Sequence, residues 1–306
     1  MIIVSPRGKM KELTIIQNIK RSVGKPRKGA VLGIGDDCAV LEYSKNEYML
    51  FAADMLVEGT HFTVKDAGYE RIGRKAVAVN ISDIAAMCGV PRYITVSIGL
   101  PPSDSENLSR GLYKGINKIC REYGVQVVGG DTNRSDKIVI DVSIIGFVKK
   151  RELITRGGAK PGDVIFITGP VKDGKKTHLD FVPRVKESGY LAKNFKINSM
   201  IDVSDGIAMD LGRICLESRT GCLLFGSDIP LVKGLALGDA LHYGESFELL
   251  FTMGEKEAER FVKTVDKKRL PFFAIGRILE KSSGMSVVMP SGKKEKLRMR
   301  GFAHLG

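Results

Sequence analysis

Tryptophan is absent from the 306 residues, and histidine appears four times. No two histidines form an HxxxH pair, so there is no zinc motif built on imidazoles. The five cysteines, Cys38, Cys88, Cys120, Cys215 and Cys222, lie far apart and form no CxxC pair. That spacing predicts buried, reduced thiols and a cytoplasmic protein. No apolar run approaches the roughly 18–20 residues that span a bilayer. The opening Met1-Ile2-Ile3-Val4-Ser5-Pro6-Arg7 has neither a long apolar core nor a small-residue cleavage site. Neither a membrane partner nor a signal peptide is expected.

Hydrophobic residues at 43% and charged residues at 27%, with little low-complexity sequence, describe a globular chain. Its length allows two domains, each with its own core. The net charge of +13 is the main compositional bias. Such a balance suits nucleic acid, an anionic membrane surface or phosphorylated small molecules. The basic residues, however, are spread along the chain, with modest clusters at 149–151, 172–176 and 293–300 that do not interleave with aromatics. A solvated surface is the expectation, and nucleic acid is not.

Two halves can be read. In the first, an apolar stretch at 48–57 and a helical one at 69–88 precede a stretch at 93–100. A helix over 103–124 opens on Ser103-Asp104-Ser105-Glu106, and strands follow at 125–128 and 137–148. The turn cluster Gly157-Gly158-Ala159-Lys160-Pro161-Gly162-Asp163 marks the boundary region, giving domains 1–150 and 151–306. Beyond it come a strand at 164–168, an apolar segment at 200–203 and a helix at 206–218. A strand at 247–253, a helix at 255–266 and a strand at 272–278 complete the pattern. Both halves mix helices and strands, so the fold class is α/β, of mixed α+β character.

Gly169-Pro170-Val171-Lys172-Asp173-Gly174-Lys175-Lys176-Thr177 nearly spells a phosphate-binding loop. That motif needs Ser or Thr directly after its lysine, and Lys176 stands there instead. Pro170 also removes a backbone N–H that such a loop would need. The expectation is a flexible basic loop.

The informative residues are aspartates. Asp36 and Asp37 follow Gly33-Ile34-Gly35, and Asp54 interrupts an apolar run. Asp83 sits in a helix that otherwise reads as buried, Asp131 ends a strand after Gly129-Gly130, and Asp202 and Asp205 flank Ser204 at a strand-to-helix junction. Asp37, Asp131 and Asp205 have a plain alternative as turn or capping residues. Capping cannot explain Asp83. Two ionised carboxylates ~4 Å apart repel by about 4 kcal/mol at an effective dielectric near 20. A cluster of them in apolar surroundings therefore calls for cations, and an all-oxygen set suits Mg²⁺ with substrate phosphates. His61 alone reads as a hydrogen-bonded loop residue.

Several segments together resemble the thiamine-monophosphate kinase family, within the superfamily of aminoimidazole ribonucleotide synthetase and selenophosphate synthetase. They are Gly33-Ile34-Gly35-Asp36-Asp37, Gly59-Thr60-His61-Phe62, the run 75–87, Gly129-Gly130-Asp131-Thr132, the run 155–163, Ile201-Asp202-Val203-Ser204-Asp205-Gly206, Gly244-Glu245-Ser246-Phe247-Glu248-Leu249 and Gly301-Phe302. The resemblance implies an N-terminal α/β domain that forms a β-barrel in a homodimer, with a C-terminal α/β domain over it. It implies transfer of the ATP γ-phosphoryl group to thiamine monophosphate, without a protein nucleophile or general base. It also implies Mg²⁺ on Asp37, Asp54, Asp83, Asp131, Asp202 and Asp205, ATP on Gly130, Asp131, Arg156 and Ser204, and the acceptor on His61, Glu245 and Phe302.

The chain departs from that pattern at Ala52 and Ala53, where hydroxyls are usual, and at Ser246, where a second acid is usual. Phe247 replaces a tyrosine and Tyr243 a glycine, the linker after Gly169 is short, and Asp180-Phe181-Val182 replaces Arg-Pro. Two further readings follow: a nucleotide-binding relative without turnover, and an ATP-dependent synthetase with another acceptor.

Overall fold

The structure, a computed structural model, describes residues 8–172, 174–266 and 270–301. Helix α1 (Gly8–Val23) precedes strands β1 (Ala30–Leu32), β2 (Ala39–Glu42) and β3 (Glu47–Val57). A single turn, α2 (Val64–Ala67), leads into α3 (Tyr69–Ala86), followed by β4 (Val90–Leu100), α4 (Ser105–Tyr123), β5 (Gln126–Arg134) and β6 (Val139–Lys149). The strands form one sheet in the order β1-β2-β3-β6-β4-β5. Only β4 and β5 run parallel within it, because α4 carries the chain back between them.

Period-two alternation sets the two faces of this sheet. Leu50 and Leu56 of β3, Ile94 and Val96 of β4, and Ile140 and Val142 of β6 are buried under α3 and α4. Phe51, Met55 and Tyr93 point to the other face and are exposed. Helix α3 is buried at every position from Lys75 to Ala86 except Asp83. A helix apolar on all sides must be enclosed on all sides. Here the sheet, α4 and elements of the second domain surround it. The crossing of α3 and α4 is close because two glycines face backbone. A Cβ on Gly115 would lie 1.8 Å from the Glu70 carbonyl oxygen, and one on Gly73 2.1 Å from that of Leu112.

The second half contains β7 (Val164–Thr168), α5 (Gly174–Thr177), α6 (Val185–Asn194), β8 (Ser199–Asp202), α7 (Ile207–Ser218) and β9 (Thr220–Phe225). It closes with α8 (Leu237–His242), β10 (Leu249–Met253), α9 (Glu255–Thr264), β11 (Phe272–Glu280), β12 (Met285–Val288) and β13 (Lys294–Lys296). Its sheet runs β13-β12-β9-β11-β7-β10-β8. Every residue of β7, β8 and β10 is buried, as expected of strands covered on both faces. On one face Phe166, Phe251 and Phe272 meet Phe261 of α9, with ring centroids 5.2, 5.8 and 4.3 Å away. On the other, Ile165, Ile167, Ile201 and Leu250 join Ile207, Leu211 and Ile214 of α7. The phenylalanine face is continuous with the core beneath the first sheet.

Where apolar runs or alternation were strong, as at 164–168 and 137–148, the elements form within a residue or two of expectation. The strand expected at 125–128 is a correction: it continues to Arg134, so Asp131 lies inside β5 and does not end it. Residues 174–177, expected as loop, form one turn of helix. The basic clusters are partly ion-paired, with Lys150 2.5 Å from Glu42 and Lys293 3.0 Å from Glu295. Among the described residues no helix is long and apolar enough to cross a membrane.

Gly115→Ala forces two helix backbones apart and should cost about 1–3 kcal/mol. Gly189→Ala, with nothing within 4 Å of its Cβ position, serves as the control and should be neutral or slightly stabilising. Thermal unfolding of the two variants checks this; equal midpoints would remove the close crossing as a constraint.

Candidate active site

A cleft of about 720 Å³ opens between the two domains, bordered by α1, β3, α3 and the junction of β8 with α7. Its floor is acidic. Asp37 arrives from the turn before β2, Asp83 from α3 and Asp202 from the end of β8. One carboxylate oxygen from each lies within 4.8 Å of the other two. Asp54 falls in period-two step with the buried Leu50, Ala52 and Leu56, so it sits on the helix-facing side of β3, and it adds its charge to Asp83.

Burial and crowding raise the pKa of Asp83, Asp202, Asp36 and Asp210. Burial, followed by Asp54, Asp202 and Asp37, raises the Asp83 pKa well above the ordinary carboxylate range. Burial and then Asp37 do the same to Asp202, partly offset by a hydrogen bond from the Ser82 hydroxyl. Asp36 is pushed up to about 7, by burial first and Asp37 second. Asp210 reaches about 7 through burial, with Arg213 pulling the other way.

Two arginines answer the negative charge. Arg156 donates to Asp37 Oδ1 at 2.5 Å, while Asp37 Oδ2 is buried with no hydrogen-bond partner. Arg213 bonds to Asp205 and, at 2.6 Å, to Asp210 Oδ1. Asp210 Oδ2 in turn accepts the N–H groups of Asp205 and Gly206 at 3.0 and 3.1 Å, fixing the turn into α7. Three converging carboxylates and an orphaned oxygen form a hard, all-oxygen donor set that fits Mg²⁺.

His61 and Glu245 line the same cleft. His61 Nδ1 accepts the Val57 N–H at 2.9 Å, which leaves its ring proton on Nε2. Glu245 adopts a left-handed backbone, φ 64°, rare for a side chain with a Cβ. Its N–H bonds to the Ser204 carbonyl at 2.7 Å. Gly244 makes that approach possible, since a Cβ there would lie 1.8 Å from the same oxygen.

Asp37, Asp54, Asp83, Asp202, Asp205, Arg156, Ser204, His61 and Glu245 are thus brought together at the cleft and its floor. Gly130 and Asp131 are not. Asp131 pairs across the sheet with Ser97, and Ser97 with Asp141, on the face opposite the aspartate cluster. It is exposed and accepts a hydrogen bond from Asn133 Nδ2 at 2.6 Å. Phe302 lies outside the described residues. Asp210, and Arg213 and Lys20 of the cleft wall, were not singled out from sequence, and Asp36 was read among the aspartates without a site role of its own. Asp210 carried a signal like that of Asp83, a carboxylate within an apolar helix; Lys20 and Arg213 carried none.

Residues 35–148 match the AIR synthase related protein, N-terminal domain, and residues 144–288 the corresponding C-terminal domain. The fold and the site together define a two-domain protein of the AIR synthase related class. The thiamine-monophosphate kinase of Buchnera aphidicola subsp. Schizaphis graminum is 35% identical, over 96% of this chain and 98% of that protein. That of Bacillus subtilis is 31% identical, over 89% and 93%. A solved structure described as "AaThiL complexed with AMPPCP and TMP" superimposes with a TM-score of 0.82 at 26% identity, covering 99% of this chain and 100% of that one. This chain belongs to the thiamine-monophosphate kinase family.

The raised carboxyl pKa values give stability an unusual slope. A folded pKa above the unfolded one means that the native state holds the extra proton, so stability falls as pH rises through the interval. For Asp36 and Asp210 that interval runs from the ordinary 3.8 to about 7. In chelator, the thermal midpoint should be higher near pH 5.5 than near pH 8, and Mg²⁺ should raise the pH 8 value most. A midpoint that climbs steadily from pH 5.5 to 8 in chelator would contradict the crowded floor.

Proposed function

We propose that this protein transfers the γ-phosphoryl group of ATP to thiamine monophosphate, giving thiamine diphosphate. The observation that carries the reading is the convergence of Asp37, Asp83 and Asp202 beneath the cleft, in a chain of this family. The AMPPCP and TMP of the AaThiL structure support the substrate pair.

The acceptor is a phosphate oxygen, already ionised near neutral pH. Transfer therefore needs no general base and no protein nucleophile, only in-line placement and control of charge. Asp37, Asp54, Asp83, Asp131, Asp202 and Asp205 would hold Mg²⁺, which supplies neutralising charge to phosphate oxygens when bound. Arg156 and Ser204, with Gly130, contact ATP in this reading. His61 offers its Nε2–H, and Glu245 its carboxylate, to the acceptor, with Phe302 completing that pocket. The pairing of Arg156 with Asp37 keeps a guanidinium beside the place where the polyphosphate arrives.

The reading draws Gly130 and Asp131 from a second copy. The outer face of the first sheet exposes Phe51, Met55 and Tyr93 at 43, 53 and 42%, an apolar surface of the kind that receives a protein partner. A two-fold dimer would lay two such faces together as a barrel. Five buried, unpaired cysteines suit the reducing cytoplasm in which we place the protein.

Ser246 favours a second reading. Where the resemblance leads one to expect an acid, it presents a buried hydroxyl without a partner. A nucleotide-binding relative with another acceptor, or none, would bind ATP without turning over thiamine monophosphate.

The decisive experiment is ADP release from ATP and Mg²⁺, with and without thiamine monophosphate. Acceptor-dependent ADP with thiamine diphosphate as product is expected, and Asp83→Asn should lower kcat by about 100-fold or more. ATP binding without acceptor-dependent ADP release would transfer the case to the second reading. If Asp131 acts across a dimer, Asp83→Asn and Asp131→Asn are each inactive, but dissociated and reassociated together they should recover about a quarter of wild-type activity. No recovery from freely mixed subunits would put Asp131 elsewhere.

A further inference from the structure

Lys75 is completely buried within α3. An ammonium has three N–H donors, and this one meets three acceptors from three separate segments. They are the His61 carbonyl oxygen at 3.0 Å, His178 Nδ1 at 2.8 Å and Glu245 Oε1. His61 follows β3, His178 follows α5 in the linker, and Glu245 precedes β10. Burial, then Lys75 and Arg71, draws the His178 pKa down to about 4, so its ring is neutral near pH 7 and able to accept.

The linker bearing His178 is itself clamped to α3. Arg71 pairs with Asp180, and Arg74 donates to the carbonyls of Leu179 and Phe181 at 3.1 and 2.6 Å. Phe181 stacks on Phe247, ring centroids 3.8 Å apart. Phe247 lines the cleft and, like Glu245, has a left-handed backbone, φ 52°. Two such non-glycine residues in one turn mark a segment held in place by its surroundings, as strained backbone at functional sites is.

We infer that Lys75 and His178 are positioning residues for the acceptor. They tie the Glu245 carboxylate to the His61 turn, so the short linker at 174–181 sets how tightly the acceptor is held. The inference rests on the kinase reading, in which His61 and Glu245 face thiamine monophosphate. His178 acts through Lys75 and touches no reacting atom. A triad that merely stabilises the fold would affect both substrates alike.

Three substitutions separate these roles in steady-state kinetics with ATP and thiamine monophosphate. An asparagine amide oxygen can occupy the place of Nδ1, whereas glutamine reaches that of Nε2. His178→Ala and His178→Gln should raise the thiamine monophosphate KM about tenfold. The ATP KM should stay within about twofold of wild type, and His178→Asn should return the acceptor KM most of the way. An unchanged acceptor KM, an equal rise for ATP, or a failure of asparagine to restore binding would each overturn the inference. If His178→Ala does not fold, the asparagine–glutamine comparison decides alone. A wild-type protein that releases no ADP with thiamine monophosphate overturns the kinase reading and this inference with it. Turnover by wild type with an unaltered acceptor KM in the variants overturns the inference alone.

Discussion

Mutual repulsion among buried carboxylates is the constraint around which this molecule is arranged. Asp37, Asp83 and Asp202 bring oxygens within 4.8 Å of one another, and each ionised pair at such a separation costs on the order of 3 kcal/mol at an effective dielectric near 20. No flexible loop would hold that geometry against the force driving it apart. The protein delivers one member from an enclosed helix, one from the end of a fully buried strand and one from a turn whose neighbour Asp36 accepts the Arg156 N–H. Enclosure of α3 on every side is thus a requirement of the site as well as of the core. Separating α3 from α4 at the Gly73–Gly115 crossing would act on Asp83 through the same helix.

The cations follow from the anions. Arginine, with its planar fork, serves two carboxylates at once where lysine would offer a point charge. Arg213 does this for Asp205 and Asp210, and the Arg156 side chain pairs with Asp37 at the cleft while its backbone N–H bonds to Asp36. Burial works against the charge of both guanidiniums, but the adjacent aspartates outweigh it and raise their pKa values. The floor therefore alternates sign over short distances. In the proposed reaction a polyphosphate entering it would meet the guanidinium groups of Arg156 and Arg213, both of which line the cleft.

Much of this was legible in the order of residues because the strongest signals are also the most constrained. A carboxylate in the middle of an apolar helix has few explanations, and Asp83 could be picked out on that ground. The runs at 164–168 and 247–253 read as strands, the second observed from Leu249, because covering both faces leaves no room for polar alternation. Helix α6 escaped notice because only Ser188 and Leu191 of it are buried, leaving little periodicity to see. Asp131 was misplaced for a different reason. Gly129-Gly130 looks like a turn locally, but pairing with Thr95 and Val96 holds both glycines in a strand. Local punctuation lost to a non-local partner.

In the proposed kinase reading, the acceptor side of the cleft obeys a looser rule than its floor. Metal-type carboxylates are bound by mutual geometry, so a change in one is felt by all. His61 and Glu245 are instead coupled through a single buried ammonium, and that coupling can be retuned from outside the cleft. The linker at 174–184 is one of the places where this chain departs from the family pattern, and it is also where His178, Asp180 and Phe181 grip α3 and Phe247. Those contacts fix the linker against α3 and, through His178, against the Lys75 ammonium. The floor takes its carboxylates from an enclosed helix, a buried strand and a turn, and repulsion leaves them no play, while the other side of the cleft needs only a fixed ammonium to set the distance between its two groups.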